Sequence, residues 1–515
     1  MADANVQPNV LLILTDQHRA DHLGFAGNVD VRTPNLDALA AESVVFERAY
    51  VANPICMPNR ASLFTGAMPS SHGTRYNGIP LDWSANTFAR VLREAGYRTG
   101  YFGKCHLQTM GSSPTRMAQW QEELAPDDGR RDPHPPEVYE WENRDRHRHG
   151  WVDVPPDFYG FDHVRFIVDH ADFCSGHYYQ WLLAQGIDPQ AIQGPGVAQR
   201  YSGEHAQLWR TAVPAELYPS AYVANETVDF LSTASDAPFF AVCSFADPHH
   251  PFTPPGEYFE AFDPAALALP ASFWDQHERS MPQFQYMIAH RGQIPGGVLG
   301  FSPSEAQFRD MLAKVYGMLA LVDDCVGRVL SVVDRETIVV FTSDHGDAFG
   351  DHGLMLKHGM HYDANTHVPL TIRAPGKSPA RTRSLASTLD IAPTLLELTG
   401  CRRYIGMHGE SLVPLLDGAA TSVRDSVVVE EDQLFANPGT EEPVRMRTLI
   451  TDEGRFTQYH GFDQGDLFDH QDDPLEMNNL WARSDARDLR MHMSERLMDS
   501  ILRYATSDRR ARYTA

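Results

Sequence analysis

Unbroken apolar runs recur along the first four hundred residues, and each stops abruptly at polar groups. Asn9 to Thr15 runs into Asp16-Gln17-His18, and Tyr97 to Phe102 into Gly103-Lys104-Cys105-His106. Pro238 to Phe245 runs into Ala246-Asp247-Pro248-His249, and Glu336 to Thr342 into Ser343-Asp344-His345. A run without polar alternation reads as a strand buried on both faces, as in a parallel sheet, where the polar groups that end the strands gather at one edge. Val44 to Tyr50 and Val368 to Arg373 read as further strands. Between the runs the spacing turns helical: Thr33 to Ala40, with Thr33 as the cap and Pro34 in the first helical position, Thr87 to Ala95 closed by Gly96, residues 220–235, Ser304 to Val333, and Thr388 to Leu398. The alternation predicts an α/β fold with a large, mostly parallel central sheet and helices on both faces.

After Gly400 the pattern changes. Val427 to Glu430, Arg445 to Ile450 and Arg455 to Tyr459 are short strands separated by turns, and from Ser484 the chain becomes helical and charged. A smaller C-terminal antiparallel sheet with a helix is expected, dividing the chain into units of 1–410 and 411–515. Residues 111–160 and 253–300 are rich in Pro, Gly and charge and read as surface excursions where specificity resides.

Composition narrows the function. The 515 residues are 42% hydrophobic and 22% charged with a net charge of −25, which describes a globular protein without the basic stripe of a nucleic-acid binder. An anionic substrate would need a site with its own cations. No window approaches a membrane span, the N-terminus lacks a basic region and a long apolar run, and the six cysteines (56, 105, 174, 243, 325 and 401) have no framework or ligand spacing. These features predict a protein of a reducing compartment, the cytoplasm, with no membrane partner.

The stretch Asn53-Pro54-Ile55-Cys56-Met57-Pro58-Asn59-Arg60 leads into a helix. A thiol at a helix start with an arginine one turn on makes an anion-binding turn with a nucleophile at its mouth. Taken alone, such a pair is more often a buried cysteine beside a surface arginine. The strand ends add Asp16, Lys104 with His106, His249, and Asp344 with His345, followed by Lys357. Asp16, Asp344 and His345 suit one divalent cation, Arg60, Lys104 and Lys357 suit an oxyanion, and His106 and His249 suit proton transfer. From the residues alone, the reading is metal-assisted hydrolysis of an anionic ester.

Cys56-Met57-Pro58-Asn59-Arg60 has the Cys-x-Pro-x-Arg form of the sulfatase signature, and Ala61 to Gly66 continues it. Thr33-Pro34-Asn35-Leu36-Asp37, Gly103-Lys104-Cys105-His106, Pro248-His249-His250-Pro251-Phe252, Ser343-Asp344-His345-Gly346-Asp347 and the closing segment Asp466 to Leu480 also resemble that family, so the resemblance spans nearly the whole chain. It implies an alkaline-phosphatase-like fold. It also implies that Cys56 is oxidised to Cα-formylglycine by a formylglycine-generating enzyme, and that modified Cys56, Asp16, Gln17, Asp344 and His345 hold one divalent cation, Ca2+ or Mn2+. By the same resemblance Arg60 and Lys104 steady the nucleophile, His106 is the base that releases the product, His249 is the general acid, Lys357 meets the transferring group, and Asn77 contacts the anion. A small anionic ester is the implied substrate and a homo-oligomer, dimer or tetramer, the implied assembly. Gln17 and Asn77 resemble the phosphonate monoester hydrolase branch, whereas Lys104 and His106 stand where that branch carries Tyr and Thr. The mixture favours a sulfatase with activity on phosphonate monoesters and phosphate diesters; the alternative is a phosphonate monoester or phosphodiester hydrolase with the same nucleophile.

Overall fold

The computed structural model describes residues 7–111, 133–201, 207–294 and 299–505. Among them, sixteen strands are formed: β1 (Val10–Thr15), β2 (Val44–Tyr50), β3 (Arg98–Gly103), β4 (His163–Val168), β5 (Ser175–Gly176), β6 (Arg200–Tyr201), β7 (Trp209–Arg210), β8 (Phe239–Ser244), β9 (Ile338–Ser343), β10 (His367–Arg373), β11 (Ala380–Thr382), β12 (Ala386–Ser387), β13 (Ser426–Ala436), β14 (Pro443–Thr451), β15 (Gly454–Tyr459) and β16 (Gly465–Asp469). The large sheet has the order β11-β2-β10-β9-β1-β8-β3-β4-β5, with β12 beside β2. β9, β1, β8, β3 and β4 are mutually parallel, which places their C-terminal ends on one edge. β10 is antiparallel to both β9 and β2, so β2 runs in the same sense as β1 and also ends at that edge.

β1 shows why the runs are unbroken. Val10, Leu12 and Leu14 face a core with Leu63, Phe64, Phe88, Leu92 and Leu395, from helices on one side of the sheet. Leu11 and Ile13 face a second core with Leu36, Leu39, Tyr222, Leu321 and Val326 on the other. Both parities of the strand are therefore apolar. Each such fully buried side chain contributes roughly 1.5–3 kcal/mol, which anchors the strand whose end carries Asp16. The expected helices form as Pro34–Ala41 (α1), Phe88–Glu94, Pro219–Ser232, Glu305–Leu330 and Ile391–Leu398.

Two expectations are corrected. Thr33 occupies the N-cap position of α1, at φ −134° and ψ 53°, but its hydroxyl accepts from no helix N–H: it accepts from Gly24 N–H at 2.9 Å and donates to the Asp37 carboxylate at 3.2 Å. Residues 253–300 are not irregular throughout, since Pro282–Ala289 is a helix whose Phe284 and Met287 pack with Met446 and Tyr459. Val368 to Arg373 forms the expected strand, and it opposes the parallel set. Residues 112–132 of the first excursion lie outside the described residues.

The second sheet is antiparallel, in the order β13-β14-β15-β16. Val428, Leu449, Phe456 and Leu467 pack under Met493 and Leu497 of the helix Arg487–Tyr504. Val427, Val429 and Ile450 pack with Tyr50, Val51 and Val368, which joins the small sheet to the large one beside the segment leading to Cys56. No described helix is long and apolar enough to cross a membrane.

Candidate active site

Chain direction brings the chemistry together. Asp16 follows β1, Lys104 follows β3, His249 lies in the turn after β8, and Asp344 and His345 follow β9. β2 releases Val51 to Ile55 at the same edge, and Cys56 is the first residue of a buried helix, α2 (Cys56–Thr65). Pro58 sits in its first turn, where the missing N–H is not needed. Ile55, the N-cap, has no side chain that can cap. Asn77 supplies the acceptor instead, its Oδ1 taking the Met57 N–H at 3.1 Å.

Arg60 is wholly buried, which excludes the surface-arginine reading. Its Nε donates to Asp344 Oδ2 at 2.8 Å and its Nη2 to Asp16 Oδ2 at 2.9 Å. Nη1 donates to the Lys104 carbonyl at 2.6 Å and Ser244 Oγ at 3.0 Å. One planar fork therefore ties the ends of β1, β3, β8 and β9 together. Lys104 donates to Asp16 Oδ2 at 2.5 Å. It reaches that oxygen because Gly103, at φ +114°, lets β3 close on β8: a Cβ there would stand 1.8 Å from the Ser244 carbonyl oxygen.

Cys56 Sγ lies 3.0 Å from Lys357 Nζ, 3.1 Å from His345 Nε2 and 3.9 Å from Asp16 Oδ1. Burial and Asp16 oppose ionisation of the thiol, but Lys104, Lys357 and His345 outweigh them and bring its pKa down to about 7. Burial likewise opposes the charge on Asp16, yet Lys104, His249 and Arg60 hold its carboxyl well below the usual range. His345 donates from Nδ1 to the Gly346 carbonyl at 2.8 Å, so Nε2 presents a lone pair to the cluster.

The donor set fits a cation. Ligand atoms of Asp16, Cys56, Asp344 and His345, all buried, lie within 4.8 Å of one another. Gln17 adds an independent sign. Its Nε2 donates to Asp347 Oδ2 at 2.5 Å, its N–H donates to Asp344 Oδ1 at 3.1 Å, and its buried Oε1 has no hydrogen-bond partner. A buried amide oxygen without a donor is costly unless something electropositive meets it.

The proton-transfer candidates are placed differently. His249 donates from Nδ1 to the His250 carbonyl at 2.5 Å, which frees Nε2, and burial together with His170 and His250 holds its pKa well below the ordinary value. His106 is buried at φ 55° and its Nδ1 has no partner among the described residues. Burial, then Lys104 and Arg60, keep it neutral.

Four further residues build the site without having been singled out from sequence. Asn59 donates to the Asp344 carbonyl at 2.5 Å and accepts from Ala52 N–H at 3.0 Å, joining helix start to strand end. Asp347 holds Gln17. Glu142, from the first excursion, accepts from the N–H groups of His106, Leu107 and Gln108 at 2.5, 3.0 and 2.9 Å, so a single carboxylate fixes the turn that carries Lys104. Burial raises its pKa to about 7 against those three donors. His170, at the end of β4, touches both Lys104 and His249.

Comparison with known proteins places these residues in context. Residues 8–401 match the family described as Sulfatase, and residues 350–503 match the one described as N-sulphoglucosamine sulphohydrolase, C-terminal. An arylsulfatase of Clostridium perfringens is 28% identical over 491 residues, 92% of this chain and 90% of that protein. The crystal structure of the phosphonate monoester hydrolase of Agrobacterium radiobacter superposes with a TM-score of 0.74 at 27% identity, covering 96% of each chain. The phosphonate monoester hydrolase of Silicibacter pomeroyi superposes with a TM-score of 0.77 at 25% identity, covering 97% of this chain and 96% of the other.

Proposed function

The chain belongs to the sulfatase family, and from that premise we propose that it hydrolyses sulfuric esters in the manner of an arylsulfatase, with Cys56 acting as Cα-formylglycine. The observation that carries this reading is the surroundings of Cys56 Sγ: it belongs to a cation-ready cluster and has the Lys357 ammonium at 3.0 Å, itself 2.6 Å from His345 Nε2 of that cluster. The thiol stands where the oxygens of a hydrated aldehyde would be. One divalent cation, Ca2+ or Mn2+, held by Asp16, Gln17, residue 56, Asp344 and His345, would supply Lewis-acid polarisation of the ester oxygens. The residue-56 hydrate would supply the nucleophile: one hydroxyl, ionised with its proton released to solvent, would bond to sulfur as the S–O bond to the alcohol breaks. His249 gives the departing alkoxide its proton from Nε2 as the imidazolium: its Nδ1–H stays on the His250 carbonyl, and a bound anionic ester favours the charged form that burial opposes in the free protein. Lys104 and Lys357 hold the oxyanion. His106 would then take the proton of the second hydroxyl, whose oxygen would re-form the aldehyde as the C–O bond to sulfate breaks. Arg60 acts on the carboxylates and not on the ester, since its donors are taken by Asp344, Asp16, the Lys104 carbonyl and Ser244.

A second reading, a phosphonate monoester or phosphodiester hydrolase with the same nucleophile, is favoured by the position of Asn77 at the first turn of α2 and by the likeness to two phosphonate monoester hydrolases. Rates on an aryl sulfate, a phosphonate monoester and a phosphate diester, measured on one preparation with residue 56 mapped, decide between them. A kcat/KM highest for the sulfate supports the first reading; one highest for either phosphorus ester replaces it with the second.

Two further outcomes are expected. Asp344→Asn removes one ligand charge and should lower the metal content measured by elemental analysis, and undiminished content would take Asp344 out of the ligand set. His249→Ala should slow an unactivated alkyl sulfate by about 10²–10⁴-fold and a nitrophenyl sulfate by about tenfold at most, because a good leaving group needs little proton donation. Equal losses on both would remove the general-acid role.

A further inference from the structure

β4 delivers a residue to this edge of the sheet that none of the motifs contains. Asp169 and Ala171, on either side of His170, both have positive φ, at 82° and 49°. They turn the imidazole inward to the end of β3. His170 Nε2 lies 2.6 Å from Lys104 Nζ, and its Nδ1 lies 3.3 Å from Asp169 Oδ1. Asp169 is held in turn by Arg144 Nη1 at 3.0 Å. The ring stacks on His249 with centroids 3.6 Å apart and planes 15° apart, and His249 stacks on His250 at 4.0 Å. The side chain keeps 15% exposure.

Both nitrogens have defined work. With Nδ1–H donated to Asp169, Nε2 is an acceptor, and the buried Lys104 ammonium is its donor. An ammonium has three N–H bonds on a freely rotating stem. Asp16 takes one of them and His170 a second. The third remains for an ester oxygen. A lysine tied only to Asp16 would be free to swing about that bond.

We infer that His170 is a positioning residue of this site, the acceptor that fixes the Lys104 ammonium beside Asp16 and the plate against which the His249 ring is held. The inference rests on the proposed ester hydrolysis for its kinetic consequence, but not for its structural one. Two substitutions separate the two contacts. His170→Phe keeps a ring against His249 and offers no acceptor. His170→Gln puts an amide oxygen near the Nε2 position and removes the ring face.

Kinetics, the mapped state of residue 56 and thermal melting are measured for both variants, and a crystal structure is solved for His170→Phe. In that structure the Lys104 ammonium should keep its bond to Asp16 and have swung about it, away from the position it holds against His170 Nε2. His170→Phe should lose about 10²-fold in kcat/KM on a nitrophenyl sulfate, mostly in kcat, as expected for a displaced charge at the reacting centre. Formylglycine content and melting temperature should match wild type. His170→Gln should recover to within about tenfold on that ester yet lose more on an unactivated alkyl sulfate, because His249 is unbraced. A His170→Phe protein within about threefold of wild type, or one with Lys104 unmoved in its crystal structure, overturns the inference. So does a rate loss fully matched by lost formylglycine or lost melting temperature. If wild type hydrolyses none of the three ester classes, the proposed function falls, and the position of Lys104 in His170→Phe still decides the role of His170.

Discussion

Cys56→Ala is expected to lower kcat/KM on every ester by about 10⁴–10⁶-fold, the scale seen when a covalent nucleophile is removed. The fold should survive. The side chain makes no cap, since the first turn of α2 is satisfied by Asn77, and alanine is the residue most compatible with a helix start inside a core. Melting temperature and circular dichroism should stay close to wild type while turnover vanishes. Catalysis in this variant well above the uncatalysed rate would remove residue 56 from the chemistry. Peptide mapping of the active enzyme provides the companion test. An unmodified thiol at position 56 in fully active protein would favour a cysteine enzyme, for which a pKa of about 7 is already suitable.

Arg60→Ala is expected to be the most damaging single change for the fold. It would strand two wholly buried carboxylates, Asp16 and Asp344, leaving the first with Lys104 and the second without a permanent cation. Breaking one side of a buried ion pair costs about 3–5 kcal/mol. The loss should be largest in metal-free protein, since a bound divalent ion would compensate the same carboxylates. Denaturant unfolding with and without chelator measures the difference. Arg60→Lys should recover little, because a point charge cannot span both acids and the Lys104 carbonyl in one plane. Metal-free Arg60→Ala within about 1 kcal/mol of wild type would show that the fork is dispensable.

Much of this architecture was legible in the chain. The parallel block announced itself because β1, β8 and β9 bury both faces, so no polar residue interrupts them, and a polar residue at their ends signals an edge. Asp16, Lys104, His249, Asp344 and His345 were found by that rule. The same rule applies to β4, where His163 to Val168 runs into Asp169-His170, yet the strand was not recognised. The charged stretch before it masks the pattern, and Arg165 interrupts the run. The direction of β10 was equally hidden, since an apolar strand reads the same both ways. Arg60 was read as a charge facing the ligand because spacing reports which side of a helix a residue occupies, not what is buried there. Glu142 carries no local signal at all. Its three partners are thirty-four to thirty-six residues away in sequence, and only tertiary structure joins them.

That carboxylate has a practical consequence. Loop grafting is an obvious route to new specificity in such a scaffold, with the first excursion exchanged for that of a relative. Here the excursion is also a clamp on the turn that aims Lys104, through Glu142, and on His170 beside it, through Arg144 and Asp169. A transplanted loop that omits these anchors would alter the rate constant together with the substrate range, and a failed chimera would be misread as a poor substrate match.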